Sequence, residues 1–135
     1  MTTAAPGLSP ASAAVHVPPQ APAILDAEKL DVYRVALEAQ VQACDLVPAD
    51  RRVLRDQLER ASLSVVLNIS EGAGRRSRKD KRRHYAIARG SAMESAAVID
   101  VIARRNLADP MACATVRALY VRAVQMLSKL DQALA

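Results

Sequence analysis

The segment DRRVLRDQLERASLSVVLNISEGAGRRSRKDKRRH, residues 50–84, holds one helix, its stop and the start of the next. From about Asp50 to Glu71, the residues Leu54, Leu58, Ala61, Val65, Asn68 and Ile69 recur at three- and four-residue spacing, which places them on one helical face. Gly72 and Gly74 predict the stop, because glycine enters without strain the left-handed turn in which many helices end. Ser77, with Asp80 three residues on, predicts an N-cap that opens a further helix running to about Asn106.

The pattern continues on both sides of this segment. Upstream, Leu30, Tyr33, Leu37, Val41 and Cys44 form an apolar face from about Asp31, and Pro48 closes that helix. Downstream, Ile87, Gly90, Glu94, Val98 and Val101 share the inner face of the third helix. Asp109 followed by Pro110 predicts the start of a fourth, whose stripe is Val116, Leu119, Tyr120, Ala123, Leu127, Leu130 and Leu134. The connections near residues 46–49, 72–77 and 106–109 are short, which favours antiparallel neighbours. The expected fold is all-α, an up-down-up-down antiparallel four-helix bundle over residues 26–135. Residues 1–25 carry five of the seven prolines and no charged side chain, and read as a flexible Pro/Ala-rich tail.

The 135 residues include 27 alanines, three tyrosines, no tryptophan and no phenylalanine, a composition that argues against a β-sandwich. Apolar runs fall far short of the length of a membrane span, and the N-terminus lacks the basic start and apolar core of a signal peptide, so a cytoplasmic protein without a membrane partner is expected. Cys44 and Cys113 are too few for a disulfide scaffold and read as reduced thiols. Neither lies with His16 or His84 at metal-ligand spacing, and neither a Cys/His dyad nor a Ser/His/Asp set has persuasive spacing. We expect no metal, no cofactor and no enzymatic activity. The glycines after the second helix lack the spacing of a phosphate-binding loop.

The net charge of +5 is concentrated in one place. Residues 26–71 hold six basic and nine acidic side chains, residues 85–135 six and four, and residues 75–84 seven and one. The ten-residue run Arg75, Arg76, Ser77, Arg78, Lys79, Asp80, Lys81, Arg82, Arg83, His84 thus exceeds the whole excess. Cations in the first turn of a helix meet the positive end of its dipole and cost about 0.3–1 kcal/mol each, so stability alone does not explain them. Guanidinium and ammonium groups beside free helix amides suit phosphate oxygens. Arg78, Arg82, Tyr85 and Arg89 fall on one outward stripe of the helical wheel. Together with Arg75, Arg76, Lys79, Lys81 and Arg83 they are the candidate contacts to RNA or DNA; an acidic protein surface, met by a helical adaptor, is the alternative partner.

Two further groups stand out. Asn68 and Glu94 occupy positions where apolar residues are expected, and with Arg60 and Glu71 they read as a polar layer that fixes helix register. Leu63, Val66 and Leu67 point away from the face of Leu54 to Val65, which predicts an interface in a homo-oligomer.

The run from Gln57 to Arg75, followed by Tyr85 to Glu94, resembles the bacterial four-helix-bundle proteins also called 23S rRNA intervening-sequence proteins, a family that includes the accessory variability determinant of diversity-generating retroelements. The resemblance covers about residues 30–134 and rests on Asn68, Glu71, Gly72, Gly90, Ser91 and Glu94. Departures are Val66 where many members have proline, His84 where phenylalanine is common, and Tyr33 where tryptophan is frequent. The resemblance implies a homopentameric barrel of bundles, a basic surface for nucleic acid and, for the retroelement member, a reverse transcriptase as partner.

Overall fold

The computed structural model describes residues 25–135, so the predicted tail, apart from Leu25, lies outside the described residues. A short 3₁₀ turn, Asp26–Lys29, leads into α1 (Asp31–Leu46), α2 (Arg52–Gly74), α3 (Arg78–Arg104) and α4 (Pro110–Leu134), with no strand among the described residues. Each helix packs on the one before it, and α1 returns against α4 to close the bundle. Cross-helix bonds give the directions. Gln57 meets Glu94 while Asn68 meets His84, and Arg82 meets Asp131 while Arg117 meets Asp100, so both pairs run antiparallel. No described helix is long and apolar enough to cross a membrane.

The caps are local and follow the sequence. Ser77 Oγ accepts the amide of Asp80 at 3.0 Å, and Asp109 Oδ2 accepts that of Ala112 at 2.9 Å with Pro110 in the first helical turn. The predicted left-handed stop at Gly72 and Gly74 is not there. No described glycine has positive φ, α2 runs through Gly74, and Arg75 continues in extended conformation. Gly72 is needed for a different reason: a Cβ on it would lie 2.7 Å from Cε1 and 2.9 Å from Cδ1 of Tyr85, whose ring packs directly on the backbone. The left-handed residue is Asn106 (φ 56°), which ends α3 with Leu107 N–H bonding Ile102 O at 3.0 Å and Asn106 N–H bonding Ala103 O at 3.1 Å. Asparagine tolerates this conformation better than other side chains and serves here as glycine commonly does.

Alanine sets the core geometry. Ala36, Ala39 and Ala43 of α1, Ala61 of α2, Ala88 and Ala92 of α3, and Ala123 of α4 are buried, and Leu58, Ile69, Ile99, Ile102, Tyr120 and Leu127 fill the space between them. Two predicted faces are therefore rotated. On α1 the buried face is Val32, Val35, Ala36, Ala39, Ala43 and Leu46, with Leu37 and Val41 exposed and Leu30, Tyr33 and Cys44 at its margin. On α3 it is His84, Tyr85, Ala88, Ala92, Ser95, Ile99 and Ile102, whereas Ile87, Gly90, Glu94 and Val101 face outward. Small side chains let the helices approach closely, and the bulkier aliphatics are left on the rims.

Ser62 and Ser95, fully buried, return their hydroxyls to their own helices, to Glu59 O at 3.1 Å and Ser91 O at 2.8 Å. Among the described residues Tyr120 is the largest fully buried side chain, and its hydroxyl has no hydrogen-bond partner of good geometry there. Burial pushes its pKa up to about 12, with the nearby Ser95 and Ser62 hydroxyls pulling weakly the other way.

Candidate nucleic-acid interface

The turn between α2 and α3 brings the basic run to one end of the bundle, but its residues divide into two sets. Lys81 points back to the end of α2, where its ammonium donates to Ala73 O at 2.8 Å and Gly72 O at 3.2 Å. It caps Ala73 O at the helix end and shares Gly72 O with the Arg75 backbone N–H, which lies 3.3 Å from it. Arg75 pairs with Glu71 at 2.8 Å, and that hydrogen bond and charge hold the Glu71 carboxyl below its usual range. Arg82 grips Asp131 of α4 with Nε at 2.8 Å and Nη2 at 3.3 Å, lowering the pKa of the carboxyl and raising its own. Arg89 Nε donates to Ser128 Oγ at 2.8 Å. These four cations tie the turn and α3 to the rest of the bundle.

The second set faces solvent. Arg76, Arg78 and Lys79 are exposed and make no ion pair or side-chain hydrogen bond among the described residues. Arg83 is exposed as well, with one guanidinium nitrogen 3.3 Å from His84 Nε2. The capped start of α3 fixes the backbone from which Arg78, Lys79 and Arg83 project, and apart from the Arg83–His84 contact their hydrogen-bonding groups are unused among the described residues. Such a surface donates to anionic oxygens without reading an order of bases.

Tyr85 does not belong to it. Its side chain is buried, burial raises the pKa of its phenol, and its ring covers Gly72, so it is not part of an outward stripe with Arg78 and Arg82. The reason is the rotated face of α3: Tyr85 lies on the same side as Ala88 and Ala92.

Of the predicted polar layer, Arg60, Asn68, Glu71 and Glu94, only Asn68 enters a half-buried polar seam along the α2–α3 contact, and its partners there are His84, Ser64 and Ser91. His84 Nδ1 donates to Asn68 Oδ1 at 3.1 Å, and Asn68 Nδ2 donates to Ser64 O at 2.9 Å. Ser64 and Ser91 share a 2.7 Å hydrogen bond. Because Asn68 Oδ1 can only accept, Nδ1 carries the proton, and in the neutral ring Nε2 is left as the acceptor toward Arg83. Glu71 lies 3.7 Å from Nε2. Glu94 is exposed and accepts from Gln57, and Arg60 is exposed without a side-chain partner among the described residues, so neither is a buried charge.

The predicted interface is also corrected at one position. Val66 is buried within the bundle, 8% exposed, whereas Leu63 and Leu67 are 41% and 59% exposed. Ile87 and Gly90 are exposed on the stretch of α3 that the Ser64–Ser91 bond sets beside them, and Val101 is exposed farther along α3, beyond Glu94. Asp131 and Ser128 were not foreseen at the basic end: they lie 49 and 39 residues from their arginines, and their spacing of three on α4 is the one local sign that they share a face.

In comparisons with known proteins, residues 28–129 match the family model described as 23S rRNA-intervening sequence protein. No curated protein matches the chain.

Proposed function

The chain belongs to the 23S rRNA-intervening sequence protein family, and from that premise we propose that it is a non-enzymatic, oligomeric protein that holds RNA or DNA by its phosphates. The observation that carries this reading is the outward set Arg76, Arg78, Lys79 and Arg83, presented together from a capped turn. Three of them stand in or beside the first turn of α3, where like-signed charge opposes the helix dipole. A protein gains nothing in stability by this placement, but it gains a site for phosphates.

Assembly multiplies the effect. The α2–α3 hairpin exposes Leu63, Leu67 and Ile87 near Gly90, a patch suited to a second copy of the chain. In a closed ring, and in the homopentamer that the sequence resemblance implies, the basic ends repeat around one rim and their fields add. The same resemblance makes a reverse transcriptase acting on the bound strand the protein partner to seek by co-purification.

Binding through four cations predicts that log K falls with log salt at a slope of about −3 to −4 per protomer engaged. Changing Arg76, Arg78, Lys79 and Arg83 to Gln removes most of the affinity and flattens that slope, while Lys81→Gln leaves most of it in place. Unchanged RNA and DNA affinity at moderate salt in the fourfold variant overturns the reading. Light scattering tests assembly: Leu67→Glu dissociates the oligomer, and a monomeric wild type contradicts the interface.

A further inference from the structure

Between the first turns of α3 and the last turns of α4 lies a cleft of about 310 Å³ that the phosphate reading leaves unused. Exposed Ala86, with the small accessible edges of the buried Tyr85 and Leu127, supplies its apolar lining, and Arg89, Ser128, Asp131 and Gln132 supply the polar one. Arg82, a residue of the basic run, reaches the cleft through its two bonds to Asp131.

Three properties narrow the occupant. The volume is at the small end of ligand pockets, which run from about 300 to 1,000 Å³, so it admits one flat ring system and not a helix. The lining combines an apolar wall with a carboxylate and a carboxamide. A bare phosphate has no use for the wall, and an aliphatic side chain would strip water from the polar groups without replacing it. Finally, the two guanidinium groups are already held, Arg82 by Asp131 and Arg89 by Ser128, with terminal nitrogens of Arg89 left to donate. A planar heteroaromatic ring with a polar edge, linked to a phosphate, meets all three conditions.

We propose that the cleft takes an unstacked base of a single-stranded nucleic acid whose phosphates lie on the outward cations. The inference rests on the phosphate-binding reading above and adds strand selectivity to it. A paired base is stacked inside its helix and does not reach the cleft, whereas a single strand held on the outward cations is free to turn one base into it.

The test uses the full-length protein with an end-labelled oligoadenylate RNA, alone or annealed to its complement, followed by fluorescence anisotropy. Ala86→Leu and Ser128→Leu fill the cleft from opposite walls, and Ala86→Leu leaves the Arg89–Ser128 bond untouched. Each is expected to weaken single-strand binding about tenfold, equivalent to about 1.4 kcal/mol for excluding one base from the cleft, and to leave duplex binding within about twofold. Thermal melts confirm that both variants fold, and Gln132→Ala supplies a third, surface variant whose expected effect is a changed preference between oligoadenylate and oligouridylate. If both fillings alter single-strand and duplex binding equally, or alter neither, the cleft proposal is overturned while phosphate binding stands. If the wild type binds neither probe, the phosphate reading falls and this inference falls with it.

Discussion

Replacing Gly72 by alanine isolates a single contact. Alanine is favoured over glycine inside a helix by about 1 kcal/mol, so the substitution in α2 ought to stabilise the chain if the surroundings were open. They are not: the new Cβ would stand 2.7 Å from Tyr85 Cε1 and 3.1 Å from His84 Cβ, against 3.4–4 Å for ordinary contact. The Tyr85 ring is 4% exposed and has little room to withdraw. Moving it by several tenths of an ångström is an overpacking change, which costs about 1–3 kcal/mol. The net expectation is a loss of about 1 kcal/mol, equivalent to about 4 °C in melting temperature for a domain of this size. Gly90→Ala provides the internal standard, because nothing lies within 4 Å of a Cβ there and the helix preference acts alone. That variant is expected to gain up to about 1 kcal/mol in the protomer. Far-UV circular dichroism melts at one fixed protein concentration, low enough to keep subunits apart, compare the two. A Gly72→Ala variant as stable as Gly90→Ala would refute the argument that the ring dictates the glycine.

Other substitutions probe the core, the caps and the inward lysine. Tyr120→Phe removes a buried hydroxyl that has no partner of good geometry among the described residues, so stability at neutral pH is expected to hold or rise slightly. The folded pKa of about 12 lies above the ordinary 10.0. Stability linked to this group is therefore full below pH ~10 and lost as pH climbs through ~12, so urea titrations are expected to show about 2–3 kcal/mol of alkaline loss in the wild type that is missing in Tyr120→Phe. Lys81→Met strands Ala73 O at the end of α2, while Gly72 O keeps the Arg75 backbone N–H, and is expected to cost about 1 kcal/mol in thermal unfolding. Ser77→Ala and Asp109→Ala each lose a cap and about 1 kcal/mol, measured the same way, and the two losses should add because the caps start different helices and share no partner.

What the sequence discloses here is what local chemistry determines. Ser77 with Asp80, and Asp109 with Pro110, mark helix starts because the cap and the amide it binds are three residues apart. The short connections likewise limit the topology. Which side of a helix enters the core is another matter, and on α1 and α3 size misleads. Leu37, Val41, Ile87 and Val101 are larger than Ala36, Ala39, Ala88 and Ala92, yet the alanines are inside, since close helix approach leaves little room for more than a methyl group at those crossings. The same rotation buries Tyr85 and exposes Glu94. The basic run is plain in the sequence, but its division is not: the partners of Arg82 and Arg89 come from α4, and the inward turn of Lys81 depends on how α2 ends.

The alternation of inward and outward cations along one helical turn separates two kinds of selection. Lys81 and Arg82 are anchored to the fold, and their replacement is resisted whatever the protein binds. Arg78, Lys79 and Arg83 touch little of their own chain, so their charges can drift singly without unfolding it. Grip on a polyanion can therefore be strengthened or slackened in small steps by point changes at these positions, and copies of this scaffold can diverge in the partners they hold while the bundle beneath stays the same.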